Sequence, residues 1–309
     1  MSESSAEPAP NLLWDITCYV VAAIMVGCLI YFYGFYTPTV YVSREHTGRT
    51  MGTDYIVKVA QFPETGDWQK IVDETQDRLD ALEQMIAIDV SRFNASTAVE
   101  DWFPVSQEIA QVVQTALEIS RLTEGAFDIT IVPFQEQTGY EKLSVRLDPP
   151  ALKRSIPELT IDLSAIAKGF AVDSIAELLD AHRITDYFIE IGIVTRSKGK
   201  RSRERDWIVG IEKPSPDQFA GIQQAFPLRD QSLATSKSHP IQIRNGVNEL
   251  ASASVLAPNC TRADALSAAM LVLGEQKGLE LANQHSIAVL FLLHDSGEIR
   301  EFSSNYWAR

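Results

Sequence analysis

Ile161-Asp162-Leu163-Ser164-Ala165-Ile166-Ala167-Lys168-Gly169-Phe170-Ala171-Val172-Asp173 is the segment where strand and helix periodicities meet most closely. It reads as a β-run ending near Asp162, a short loop of small residues, and a helix starting near Lys168. Backbone N–H groups at a helix start, next to a lysine, attract anions. One reading is therefore a phosphate cradle. The other is a surface strand–helix junction with a solvated lysine.

The same alternation of periods runs outward in both directions. Upstream, Asp54–Ala60 is strand-like, and Trp68, Ile71, Val72, Leu79, Leu82, Met85 and Ile86 form a helical stripe. Ser106 is a candidate cap for a second helix that carries Ile109, Val112, Val113, Ala116 and Ile119 on one face. Downstream, Tyr187–Ile193, Trp207–Ile211, Ser254–Ala257 and Ile287–Leu293 are β-rich. Asp264–Leu273 and Glu275–Ala282 read as helices hinged at Gly274. The pattern predicts a single mixed α/β (α+β) domain over 50–309, with mixed sheets flanked by helices.

Two other segments hold chemistry-bearing residues. Thr123-Glu124-Gly125-Ala126-Phe127-Asp128-Ile129-Thr130, followed by Pro133, places a carboxylate and a hydroxyl two apart after a glycine; on local grounds a plain turn into a strand is the better explanation. Asp264 and Ser267 lie three apart on one helix face. They offer oxygens of the kind Mg²⁺ takes, or else an acid favoured by a helix N-terminus.

The N-terminal part has another character. Residues 1–11 are small, polar and acidic, and read as a disordered tail. Leu12–Tyr36 is apolar except for Asp15, with Trp14 at one end and Tyr31, Phe32, Tyr33, Phe35 and Tyr36 at the other. A run of this length can cross a hydrocarbon core of roughly 30 Å, and its aromatics resemble interfacial belts. It is expected to be an uncleaved transmembrane helix over 12–36, followed by a linker over 37–49. A signal peptide is disfavoured by the absence of an N-terminal cation. A lipobox-like Met25-Val26-Gly27-Cys28 is disfavoured by the apolar residues after it.

Composition excludes some functions. The 309 residues carry 27 Lys+Arg against 41 Asp+Glu, a formal charge of −14 that argues against nucleic acid as a partner. The sequence has three cysteines, of which only Cys260 lies in the domain, so no disulfide framework is possible. Against this acidic background, the loop 196–205 gathers Arg196, Lys198, Lys200, Arg201, Arg203 and Arg205. It reads as a docking patch or as a solvated connection.

In combination the segments resemble the FAD:protein FMN transferase family, the ApbE-like proteins. The likeness runs from about Met51 to the C-terminus. It rests on Met51-Gly52-Thr53, Phe93-Asn94, the GAFDIT segment, DLSAIAKGFAVD, Trp207–Ile211, Ala234-Thr235-Ser236 and the ADALSAAMLVLG segment starting at Ala263. The resemblance implies transfer of FMN from FAD, with Mg²⁺, to a Ser or Thr hydroxyl, releasing AMP. It implies FAD contacts at Met51, Ala126, Phe127, Asp128, Asp162 and Lys168. It implies metal ligation by Ala165 (through its carbonyl), Asp264 and Ser267.

The chain departs from the family pattern at several of these positions. No His-x-x-Asp-Pro strand follows Thr235-Ser236, and His239 is the only nearby histidine. Ala268 stands where the family has a metal-binding threonine, and Lys237 replaces the glycine of its TSG segment. Gly192-Ile193 replaces paired glycines, and Met85-Ile86-Ala87-Ile88 replaces a segment with a flavin-holding aromatic. These departures imply a catalytically impaired accessory or assembly subunit of a membrane complex, electron-transfer or flavoprotein. The alternatives are an active transferase using His239 as base, and a flavin-binding module without transfer. FAD and Mg²⁺ follow only if the family site is retained. The expected location is the bacterial inner membrane with a periplasmic domain, although Arg44 and Arg49 after the span favour the opposite orientation. Other membrane-protein subunits are expected as partners, through the anchor and the basic loop.

Overall fold

The computed structural model describes residues 20–21, 23–28, 40–131, 137–214, 221–238, 249–295 and 298–307. Residues 1–41 with 63–65 form one unit, and residues 42–62 with 66–309 form another. In the first unit the described part of 12–36 is helical and exposed. The rest of that segment, and the tail 1–11, lie outside the described residues. Among the described residues, no helix is long and apolar enough to cross a membrane.

The elements are β1 (Tyr41–Thr50), β2 (Thr53–Pro63), α1 (Trp68–Ala95), β3 (Phe103–Pro104), α2 (Gln107–Leu122), β4 (Leu143–Leu147) and β5 (Pro150–Arg154). They continue with α3 (Ser164–Ala181), β6 (Tyr187–Ile191), β7 (Val194–Lys198), β8 (Trp207–Glu212), β9 (Ile222–Leu228), β10 (Ser232–Lys237), β11 (Glu249–Ala257), α4 (Cys260–Gln284), β12 (Ala288–Asp295) and β13 (Glu298–Ser303). Eight strands form one sheet in the order β1-β2-β6-β7-β10-β11-β12-β13. Its pairings from β2 to β13 are antiparallel, so the expected mixed sheet is not mixed in strand direction. Short hairpins such as Gly192-Ile193, which joins β6 to β7, require this arrangement. Smaller antiparallel sheets are β3-β5-β4 and β8-β9.

Alternation along the strands gives the large sheet two buried faces. Val289 and Phe291 of β12 join Ala253 and Val255 of β11 in the core beneath α2, α3 and α4. Leu290 and Leu292 face the other way, with Leu256, toward Trp207, Val209 and Ile211 of β8 and toward Trp307. A third cluster packs α1 and α3 on β2 and β6 through Leu79, Leu82, Ile175, Leu179, Tyr55, Val57 and Ile189.

The predicted helices form. Asp67 caps α1 by accepting from Lys70 N, and Ser106 caps α2 by accepting from Ile109 N. The α4 helix breaks at Gly274, as the hinge reading expected. Three expectations need correction. Residues 41–49, within the expected linker 37–49, belong to the edge strand β1. The β-run expected to end at Asp162 is absent, because β5 ends at Arg154 and 161–163 is irregular. The following helix starts at Ser164 rather than near Lys168, because Asp162 accepts from both Ser164 N and Ser164 Oγ.

Candidate active site

The site is assembled where α3 crosses α4. A Cβ on Gly169 would lie 2.3 Å from the Cys260 carbonyl oxygen and 2.9 Å from Asp264 Cβ. The two helix backbones can meet this closely only at a residue without a side chain. The contact brings Gly169 N–H to Asp264, whose carboxylate accepts it at 3.0 Å.

Asp264 is 6% exposed. Burial pushes its pKa up from 3.8 to about 6, against the lowering effect of the Lys168 charge and of the Gly169 N–H. It is a desolvated carboxylate with incomplete compensation. One turn on, Ser267 Oγ donates to the Asp264 backbone carbonyl at 2.9 Å and pairs with Ser236 Oγ of β10 at 2.8 Å. Ser267 is fully buried, and Ala268 packs partly buried against the core.

The loop that feeds α3 is held from several sides. Asn94 forms a two-way amide clip with Ile161, donating to its carbonyl and accepting from its N–H, each at 2.9 Å. Asp162 N donates to Ile129 O at 2.7 Å, which joins this loop to the GAFDIT segment. Arg154, 1% exposed, donates to the carbonyls of Pro157, Leu159 and Phe93, and its guanidinium lies 3.8 Å from the Phe93 ring centroid. A buried cation is thus satisfied by backbone dipoles and an aromatic face.

The GAFDIT segment is a series of turns, and no strand forms over 123–131. Asp128 organises it: Oδ1 accepts from Thr130 N and Oγ1, and Oδ2 accepts from Tyr140 N. Thr123 Oγ1 accepts from Phe127 N. The Phe127 side chain is core, so any ligand contact there falls to its backbone. Met51 sits at the β1–β2 turn with φ 48°, and its N–H donates to Glu83 at 3.0 Å. It packs partly buried against the cluster that Phe170 of α3 also joins.

Of the sequence-predicted residues, the structure joins Lys168, Asp264 and Ser267 in one cluster and ties Asp162 to the segment of Ala126, Phe127 and Asp128. Asp162 is exposed and accepts from Ser164 N just before α3, and Ala165, also exposed, lies in the first turn of that helix. The expected cradle at Lys168 is displaced, because the free helix start lies four residues earlier. His239 lies outside the described residues. Sequence reasoning missed the roles of Glu83, Thr123, Asn94 and Arg154. Glu83 carries no signal beyond being polar; Thr123 and Asn94 stand out only as members of motifs.

Among the described residues no three His, Cys, Asp or Glu gather as a metal cluster. The oxygens gathered at the crossing are the Asp264 carboxylate and the Ser267 and Ser236 hydroxyls. That set suits Mg²⁺, which takes one or two carboxylates and leaves its other positions to water and phosphate. The raised pKa of Asp264 fits as well, because a cation would stabilise the ionised form.

The fold is an α/β domain with a buried carboxylate and a buried serine at a helix crossing. Residues 51–291 match the sequence model of the ApbE family. The chain is 32% identical to the FAD:protein FMN transferase of Vibrio cholerae serotype O1, over 84% of this chain and 90% of that protein. It superposes on the structure of the flavin transferase ApbE from Vibrio cholerae with a TM-score of 0.76 and 30% identity, covering 87% of this chain and 99% of that one. For the apo flavinyl transferase ApbE of Pseudomonas stutzeri the TM-score is 0.76 at 26% identity, with 86% and 96% covered. The chain belongs to the ApbE family.

Proposed function

We propose that the chain is an active, Mg²⁺-dependent FAD:protein FMN transferase. The observation that carries this reading is Asp264, a buried carboxylate with a raised pKa that is held at the helix crossing beside Lys168 and Ser267. A carboxylate kept in that condition destabilises the ligand-free fold, and a cation site gives a reason to keep it. The relatives' names support the same activity.

In this reading Asp264, Ser267 and the Ala165 carbonyl hold Mg²⁺. The backbone of Ala126 and Phe127, with Met51, Asp128, Asp162 and Lys168, surrounds FAD. Mg²⁺, when bound, offsets charge on the pyrophosphate. The chain's own part is to position: the amide clip of Asn94 and the Asp128 turn fix the loops, and Lys168 supplies a local positive charge. The acceptor hydroxyl oxygen attacks the FMN phosphorus, the bond to the AMP oxygen breaks, and AMP leaves. His239 is the candidate base for the hydroxyl proton.

Three of the departures that favoured an impaired accessory subunit have structural roles here. Lys237 pairs with Glu212, Ile193 sits in the β6–β7 hairpin turn, and Met85 and Ile86 pack on the core. Ala268 removes a donor from the cluster, and the stretch where the family has its His-x-x-Asp-Pro strand lies outside the described residues. Purified chain with FAD, Mg²⁺ and a Ser/Thr-bearing acceptor is expected to release AMP. His239→Ala and Asp264→Ala are each expected to abolish that release. Absence of AMP from folded wild type would return the reading to the accessory subunit.

The apolar run 12–36 supports a further part of the proposal: a single-span anchor in a bacterial inner membrane, with the domain outside and neighbouring membrane subunits as partners. Protease digestion of the domain in spheroplasts is the expected result, and protection would reverse the orientation.

A further inference from the structure

The β8–β9 ribbon covers the outer face of the large sheet from β6 onward. At its margin lies a cavity of about 340 Å³, lined by Arg44 of β1, Lys58 of β2, Phe188 of β6, Arg201 of the basic loop, and Trp207 and Ile208 of β8. Lys58 and Phe188 are register partners, and Phe188 and Trp207 belong to the outer-face cluster. The sheet therefore separates this cavity from Asp264, which lies on the helix side.

The charges of the cavity are unbalanced. Glu45 also lines it, but ion-pairs with Lys58 at 3.4 Å. Arg44 and Arg201 have no acid partner among the described residues. Arg44 Nε is buried without any hydrogen-bond acceptor. A buried guanidinium donor left unmade is costly, and a second unpaired guanidinium in the same cavity adds repulsion. In a chain of net charge −14, with acids available to neutralise them, this excess is informative. Within the 196–205 stretch, Arg196 pairs with Asp173 and Lys198 with Asp180, whereas Lys200, Arg203 and Arg205 are exposed and do not line the cavity.

The geometry points to a binding site for a phosphate group carrying an apolar portion. A carboxylate is filled by one guanidinium fork, whereas the oxygens of a phosphate accept from two. Phe188 and Trp207 form an apolar floor, and Ile208, 57% exposed, supplies an apolar rim for the rest of the ligand. The phosphate can come from a lipid headgroup or from a free phosphate compound. This site does not depend on the transferase reading.

The test uses the full chain in detergent or in vesicles, titrated with inorganic phosphate. A second arm compares phosphatidylglycerol-containing vesicles with pure phosphatidylcholine vesicles. The variants are Arg44→Gln, Arg201→Gln and, as a loop control outside the cavity lining, Lys200→Gln. Each cavity variant is expected to weaken binding about tenfold, with Lys200→Gln near wild type. Loss in the phosphate arm identifies a free phosphate ligand, and loss only of the preference for anionic vesicles identifies a headgroup. Arg201 is exposed, so its variant remains informative if Arg44→Gln fails to fold. No response in either arm overturns the site, as does an equal loss in all three variants. Binding of an acidic peptide without either phosphate response overturns it too.

Discussion

Two aspartates at the same pair of helices have opposite surroundings. Asp173 of α3 accepts from Arg196, Cys260 N, Thr261 N and Thr261 Oγ1, so it stitches β7 and the start of α4 to α3. Asp264 of α4, more deeply buried, has the Gly169 N–H and the nearby Lys168 charge. One carboxylate is saturated by the fold, and the other is left short of partners inside it. Under the proposed function, the difference separates a residue that holds the structure from one whose missing partner is the bound cation.

The strongest test of that contrast is Asp173→Ala. It removes the partner of Arg196 and strands three backbone and hydroxyl donors, and is expected to cost about 3 kcal/mol in urea unfolding. Transfer activity at temperatures where the variant stays folded should change little. Asp264→Asn should do the reverse. AMP release should fall about 10²–10³-fold, while the ligand-free protein gains stability at alkaline pH.

The sign of that gain follows from the raised pKa. With the folded value near 6 and the ordinary value 3.8, the contribution of Asp264 to wild-type stability is fullest below pH 4 and is lost as pH rises through 6. The loss is at most about 3 kcal/mol. Melting curves across pH should show this slope in wild type, a flatter one in Asp264→Asn, and recovery of wild type on adding Mg²⁺.

Gly169→Ala is expected next in size. Its methyl group would push α3 from α4 against Cys260 O, costing about 1–3 kcal/mol, and activity should fall with stability because the two aspartates share this crossing. The smallest effect is expected from Ala268→Thr, which adds a hydroxyl one turn beyond Asp264. A few-fold tighter Mg²⁺ dependence of AMP release would support the cation site.

The sequence made some of this plain and hid the rest for physical reasons. Apolar periodicity marked α1, α2 and the broken α4, because their buried faces repeat at helical spacing. The three chemical segments were visible because glycine, lysine and acid recur at short range. The amide clip of Asn94 to Ile161 was not, since it joins residues 67 apart. Strand β1 was missed because its sequence, YVSREHTGRT, is polar on both faces. Arg154 gave no sign of burial, because its acceptors are backbone carbonyls supplied by a loop. The difference between Asp173 and Asp264 was equally hidden: each is an Asp in a helix, and only the tertiary neighbours distinguish them.

The most direct test of the central claim is a single-turnover assay. Purified chain is incubated with FAD and a Ser/Thr-bearing acceptor, with and without Mg²⁺, and AMP and acceptor-bound flavin are quantified together. The account predicts stoichiometric AMP and covalent flavin that require both Mg²⁺ and Asp264. Folded wild-type protein that yields neither, or that yields the same amounts after Asp264→Asn, would contradict it.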